Sequence, residues 1–244
     1  MPPFEYATTS LPIPDSMRVA HRRAWERLAS PGPWWSGAER VAIAAEVRAA
    51  RDCDLCRRRK DALSPNAVSG DHDGASSLPA AAVDAVHRIA TDPGRLTRAW
   101  YDSTIAAGLT DGHYVELLGI VTTIVNIDAL HRALGVPLEP LPTPEAGEPT
   151  LRRPTTTTSG AWVPMASLGT PDAKVLFGER SRVPNVARAL SLVPDAVVQL
   201  KELSAAHYLA MDDVIDPRAR GRVLSRAQME LLAGRVSALN ECFY

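Results

Sequence analysis

The sequence predicts an all-α protein, and three observations carry that prediction. Ala, Leu, Val and Arg dominate and aromatic residues are few (5%), a composition that favours helix. Two stretches open with the Ser-x-x-Glu/Gln form of a capping box, Ser36 to Glu39 and Ser225 to Gln228. The most apolar run, Asp111 to Leu134, ends on Gly135 with Pro137 beyond it, a helix-stop signal.

The elements follow in order. Residues 1–14 carry Pro2, Pro3, Pro12 and Pro14 and read as an extended arm; with no apolar core region it is not a signal peptide. Asp15 to Ala29 is a short helix stopped by Pro31-Gly32-Pro33. The helix capped at Ser36 runs through Val41, Ile43, Ala44, Val47 and Ala50 to the cysteines. Asn66 to Pro79, rich in Gly, Asp and Ser, is a loop, and Leu78 to Thr91 and Arg95 to Ala107 are helices around the break Asp92-Pro93-Gly94. Helices resume over Asp172 to Phe177, Val183 to Leu192, Asp195 to Val214, and Leu224 to Tyr244. Between them, Pro137, Pro140, Pro142, Pro144, Pro149, Pro154, Pro164 and the Thr155 to Thr158 run argue against regular structure. The expected organisation is an arm (1–14), a first helical unit (15–136), a linker or wrapping segment (137–164) and a second unit (165–244).

A net charge of −1 over 244 residues leaves no basic footprint for nucleic acid. Three cysteines do not make a disulfide framework. No apolar run of membrane-spanning length stands out, so a cytoplasmic protein without membrane partners is the default.

The chemistry-bearing stretch is Cys53-Asp54-Leu55-Cys56 followed by Arg57-Arg58-Arg59-Lys60. Two thiols three residues apart on a helical turn can close a disulfide, and nearby cations such as Arg57 and Lys60 favour the nucleophilic thiolate. Glu46, seven residues before Cys53, shares its face if the helix is continuous and is the acid/base candidate. Asp71-His72-Asp73 on the loop could ligate a metal, but a solvated loop is the simpler reading. Structural zinc is a weaker reading, because the two thiols are half a tetrahedral site with no second cysteine pair; no metal or other cofactor is expected. On the long helix, Glu116, Thr123 and Asn126 share a face, lining a pocket or meeting water; His131, near its C-terminal end, complements the helix dipole. Glu116, Asn126 and His131 are the substrate-binding candidates.

The last helix repeats the first motif. Setting Cys242 on Cys53 brings Ser225 onto Ser36, Gln228 onto Glu39, Ala233 onto Ala44 and Val236 onto Val47. This second copy, Leu224 to Tyr244, resembles the alkylhydroperoxidase AhpD-like and carboxymuconolactone decarboxylase superfamily, in which a Glu precedes a Cys-x-x-Cys pair with a His four residues further on. Glu230 and Cys242 have the family spacing; the second Cys and the His would fall after Tyr244. In the first copy, Cys53 and Cys56 match, while the family's Glu position is Val41 and its His position Lys60. The resemblance implies a duplicated helical bundle, homo-oligomers, and a thiol peroxidase or disulfide oxidoreductase. Cys56 would attack a small-molecule peroxide, Cys53 would resolve the sulfenic acid, and a thiol reductant would restore both. The decarboxylase branch implies instead a lyase for a carboxylated substrate, and a non-catalytic helical oligomer is the third reading.

Overall fold

In the computed structural model, residues 3–74, 76–158, 160–214, 216, 218, 223–240 and 242 are described. Helix makes up 56% of the protein and strand 2%, so the all-α class holds. The bundle is organised on α6 (Asp111–Leu134), against which α2 (Gly37–Ala49), α4 (Ala80–Thr91) and α9 (Pro194–His207) pack, while α1 (Asp15–Ala29) lies across α2 and α9. Val115, Leu117, Val121, Ile124 and Ile127 are the buried spine of α6. By length and composition α6 could cross a membrane, which the expectation of no such run missed; here half of its apolar window is buried inside the bundle.

Both expected capping boxes are present. The Ser36 side chain accepts from the Glu39 N–H and Glu39 reaches back to the Ser36 N–H; Ser225 and Gln228 do the same at the head of α11 (Arg226–Leu239). Thr97 and Thr110 cap α5 (Arg98–Ala106) and α6, and Gly135 ends α6 in the left-handed conformation (φ 67°).

Several boundaries differ from expectation. The helix from Ser36 does not reach the cysteines: α2 stops at Ala49, and α3 (Asp54–Asp61) starts anew with Cys53 as its N-cap. The expected helix from Asp195 to Val214 is broken at Tyr208-Leu209-Ala210, leaving α9 and the single turn α10 (Met211–Val214). Its expected stop at Asp216-Pro217 includes Pro217, which lies outside the described residues; the last helix, expected to run to Tyr244, ends at Leu239 with Asn240 as its C-cap, and Glu241, Phe243 and Tyr244 lie outside the described residues. Val183 to Leu192 contains only the turn α8 (Asn185–Arg188); α7 (Pro171–Phe177) matches its expected range closely.

The arm is docked rather than loose. Phe4 and Tyr6 are buried, each with positive φ (62° and 53°), and the Phe4 N–H donates to Glu139. Behind them runs a chain of hydrogen bonds whose direction is set at one end. The Pro137 carbonyl can only accept, so His131 donates to it through Nδ1 (2.7 Å), and the neutral ring then accepts at Nε2. The Tyr6 hydroxyl supplies that proton (3.1 Å), so His21 donates to Tyr6 from Nδ1 (2.5 Å) and accepts at Nε2 from His207 (2.6 Å). The proline-rich segment lies against the end of α1 and the turn after it: Glu145, Thr150 and Leu151 donate to the carbonyls of Ala29, Gly32 and Pro33. Among the described residues its one regular element is β1 (Thr156–Thr157), which pairs antiparallel with β2 (Met165–Ala166) just beyond it.

Candidate functional site

The break between α2 and α3 builds the site. Cys53 is extended (φ −68°, ψ 124°) at the N-terminus of α3 and Cys56 lies in its first turn, so both sulfurs sit at the positive end of the helix. The loop that follows α3 folds back over this end. Asp73 accepts from the Asp54 N–H (2.7 Å), which ties the loop to the start of α3, and His72 beside it points inward. On α4, Asp84 and His87 are three residues apart and share a face. Packing of α4 on α2 sets His87 against Glu46.

The result is a closed cluster of four donors. Cys53 Sγ, Cys56 Sγ and one nitrogen each of His72 and His87 all lie within 4.8 Å of one another. His87 Nδ1 is 3.2 Å from Cys56 Sγ, and His72 Nδ1 is 3.7 Å from Cys56 Sγ and 3.5 Å from Cys53 Sγ. Behind each imidazole stands a carboxylate. His87 Nε2 donates to Glu46 Oε2 (2.9 Å) and His72 Nε2 donates to Asp84 Oδ1 (3.0 Å). Those bonds fix the tautomers, so when neutral each ring turns the lone pair of Nδ1 toward the sulfurs. Arg59 closes the outer side, bonded to Asp84 (2.5 Å) and the Val68 carbonyl. The cysteines are 1% and 3% exposed, Glu46 3% and His87 0%, so nearly every atom of the cluster is shielded from bulk water. Gly74 lies directly over Glu46: a Cβ there would sit 2.7 Å from Oε2.

The electrostatics separate the two halves. Burial opposes charge on His72, but its hydrogen bonds to Asp84 and to both thiols push its pKa up to about 10. Burial likewise opposes the Cys53 thiolate, yet the backbone N–H groups of Asp73 and Cys56, together with His72, bring it below the ordinary thiol value. Asp84 is held below the usual carboxylate range by His72 and Arg59, against its burial. His87 goes the other way: burial lowers its pKa more than Glu46 raises it, and the charge on His72 adds to the lowering. One imidazole thus favours the cation and the other the free base.

The expected site residues are distributed unevenly. Cys53, Cys56 and Glu46 are brought together, though Glu46 reaches the sulfurs through His87 rather than along one continuous helix. Of the cations, Arg57 pairs with Asp54 at the surface and Lys60 is exposed, whereas Arg59 turns inward. Glu230 lies on the exposed side of α11, bonded to Tyr208 and Arg226, and Cys242 is exposed; neither joins the cluster. Glu116 is paired with Arg40 and accepts from the Trp34 N–H. Glu116 and Thr123 line a cavity of about 40 Å³, Asn126 faces solvent, and His131 belongs to the Tyr6 chain. His87 and Asp84 escaped sequence reasoning. Their three-residue spacing on an Ala-rich helix is the only local signal, and it names no partner.

Compared with known proteins, the chain matches no family model, no curated protein and no solved structure.

Proposed function

We propose that this protein is a thiol-dependent oxidoreductase of the peroxidase type, and that its redox pair is Cys53 and Cys56. The single observation behind this reading is the relay Glu46–His87–Cys56. A buried carboxylate orients an imidazole whose free nitrogen lies 3.2 Å from a thiol sulfur. His87 takes the Cys56 proton. The Cys56 thiolate attacks the distal oxygen of a hydroperoxide, the O–O bond breaks, and a Cys56 sulfenic acid forms while the departing alkoxide takes the proton from His87. The Cys53 thiolate then attacks the Cys56 sulfur and hydroxide leaves, protonated by His72. The products are a disulfide, an alcohol and water, and an external thiol reductant restores the pair. The shielding of the sulfurs favours a small oxidant that enters beside the loop carrying His72.

The duplicated AhpD-like bundle belongs to the same reading. It is supported by two capping boxes that head α2 and α11, each with a cysteine just past the helix end. The alternative, a lyase acting on a carboxylated substrate near Glu116, has less support. A cavity of about 40 Å³ is far below the roughly 300 Å³ at which small-molecule pockets begin.

The test is tert-butyl hydroperoxide added to the reduced protein in the presence of a chelator. Two free thiols per chain should disappear, with an intramolecular Cys53–Cys56 disulfide in the peptide map and no reaction of that pair in Cys56→Ser. Thiols that stay free under excess peroxide would end this reading.

A further inference from the structure

We propose that Cys53, Cys56, His72 and His87 form a tetrahedral binding site for Zn²⁺. This goes beyond the redox reading and does not depend on it. The thiols alone supply two donors, and the fold delivers two more, from the loop after α3 and from α4. Zinc bonds of about 2.3 Å to sulfur and 2.0–2.1 Å to imidazole, at tetrahedral angles, place neighbouring sulfur and nitrogen donors about 3.6 Å apart. Three of the four sulfur–nitrogen separations are 3.2, 3.5 and 3.7 Å. All four donor atoms fit within 4.8 Å, so little has to move to close around an ion.

The supporting shell points the same way. Each imidazole gives its Nε2 hydrogen to a carboxylate, Asp84 for His72 and Glu46 for His87. Two carboxylate–histidine pairs that aim both Nδ1 lone pairs at one point beside two sulfurs are the arrangement that orients ligands around zinc. Two thiolates balance the ion's charge, which suits a buried position. The soft sulfur pair with two imidazoles selects Zn²⁺ over the hard cations Mg²⁺ and Ca²⁺. All four positions are filled by protein donors, as in a closed, structural site.

The proposal also links to the dithiol chemistry. A zinc-bound pair is protected until oxidation empties the site: the bis-thiolate zinc centre, one hydroperoxide and two protons give the disulfide, free Zn²⁺, an alcohol and water.

The experiment uses the reduced, metal-free full-length chain titrated with Co²⁺ and then Zn²⁺. The expected result is one Co²⁺ per chain with the intense visible absorption of a tetrahedral ion and a thiolate-to-cobalt band in the near ultraviolet, both erased by stoichiometric Zn²⁺. Cys56→Ser and His87→Ala should abolish the spectrum. Asp84→Asn and Glu46→Gln keep all four donors and should weaken Zn²⁺ binding about 10- to 100-fold, a test that survives if a ligand variant fails to fold. An octahedral spectrum, or thiolate bands that persist in Cys56→Ser, would overturn the site. Zinc binding by a chain whose metal-free thiols ignore peroxide would keep the metal site and discard the peroxidase. Disulfide formation in a chain that takes up no tetrahedral ion would do the reverse.

Discussion

Glu46 and His87 come from different helices and meet at 2.9 Å in a space from which water is excluded. That contact is the hinge between fold and chemistry, because His87 cannot present Nδ1 to Cys56 unless its other nitrogen has a fixed acceptor. Glu46→Gln keeps an acceptor but removes the charge that stabilises a protonated ring. Peroxide-driven disulfide formation should slow by about 10- to 100-fold, measured as thiol loss in metal-free protein, with little change in melting temperature. Glu46→Ala leaves a buried N–H without a partner and should also cost about 1–3 kcal/mol of stability.

His72 and Cys53 make a second, separable prediction. With His72 favouring the cation and Cys53 favouring the thiolate, alkylation of Cys53 by iodoacetamide in metal-free protein should reach half its maximal rate at a pH below the ordinary thiol midpoint of about 8.5. His72→Gln should move that midpoint upward. A Cys53 profile that does not respond to His72→Gln would show that the imidazole does not set its charge.

Gly74 tests the loop. Its missing side chain leaves room for the Glu46 carboxylate, and Gly74→Ala would place a Cβ 2.7 Å from Oε2. The variant should fold with unchanged helicity by circular dichroism, yet react with peroxide more slowly and hold zinc more weakly, because either the loop or Glu46 must shift.

Acid should act on the His21 chain of hydrogen bonds. Burial, then the neighbouring imidazoles of His207 and His131, lower the His21 pKa to about 3. The folded state therefore resists a proton that the unfolded chain accepts near pH 6.5. Its contribution is fully present above pH 6.5 and is lost as pH falls from there toward 3, by at most about 1.4 kcal/mol per pH unit. Urea unfolding between pH 7 and 4 should show this slope, and His21→Gln should flatten it.

The half-buried Arg40 pairs with the buried Glu116, and neither belongs to the thiol cluster. Arg40→Met strands the Glu116 carboxylate and should destabilise the fold by about 3–5 kcal/mol, read by denaturant midpoint. Glu116→Gln should leave thiol oxidation unchanged; a matching loss of peroxide reactivity would transfer importance to the Glu116 helix face.

How far the sequence could be read depended on the range of each signal. Caps and stops are local, and Ser36, Ser225 and Gly135 act where their neighbours place them. The thiol pair and Glu46 were visible for the same reason. The break at Ala50 to Asp52 was not, because Arg51 and Asp52 are tolerable helix residues and the interruption comes from docking α3 under the loop. Asp84 and His87 become meaningful only once α4 lies beside α2, and His72 only once the loop folds back. A histidine's role is set by the partner at each nitrogen, and those partners lie on other elements of the fold.

Every member of the thiol cluster and its two carboxylates falls between residues 46 and 87. Contacts of such short sequence separation close quickly and cost little chain entropy compared with those tying α9 to α1. Opening and re-forming this constellation therefore closes a smaller loop of chain than any event that separates α9 from α1.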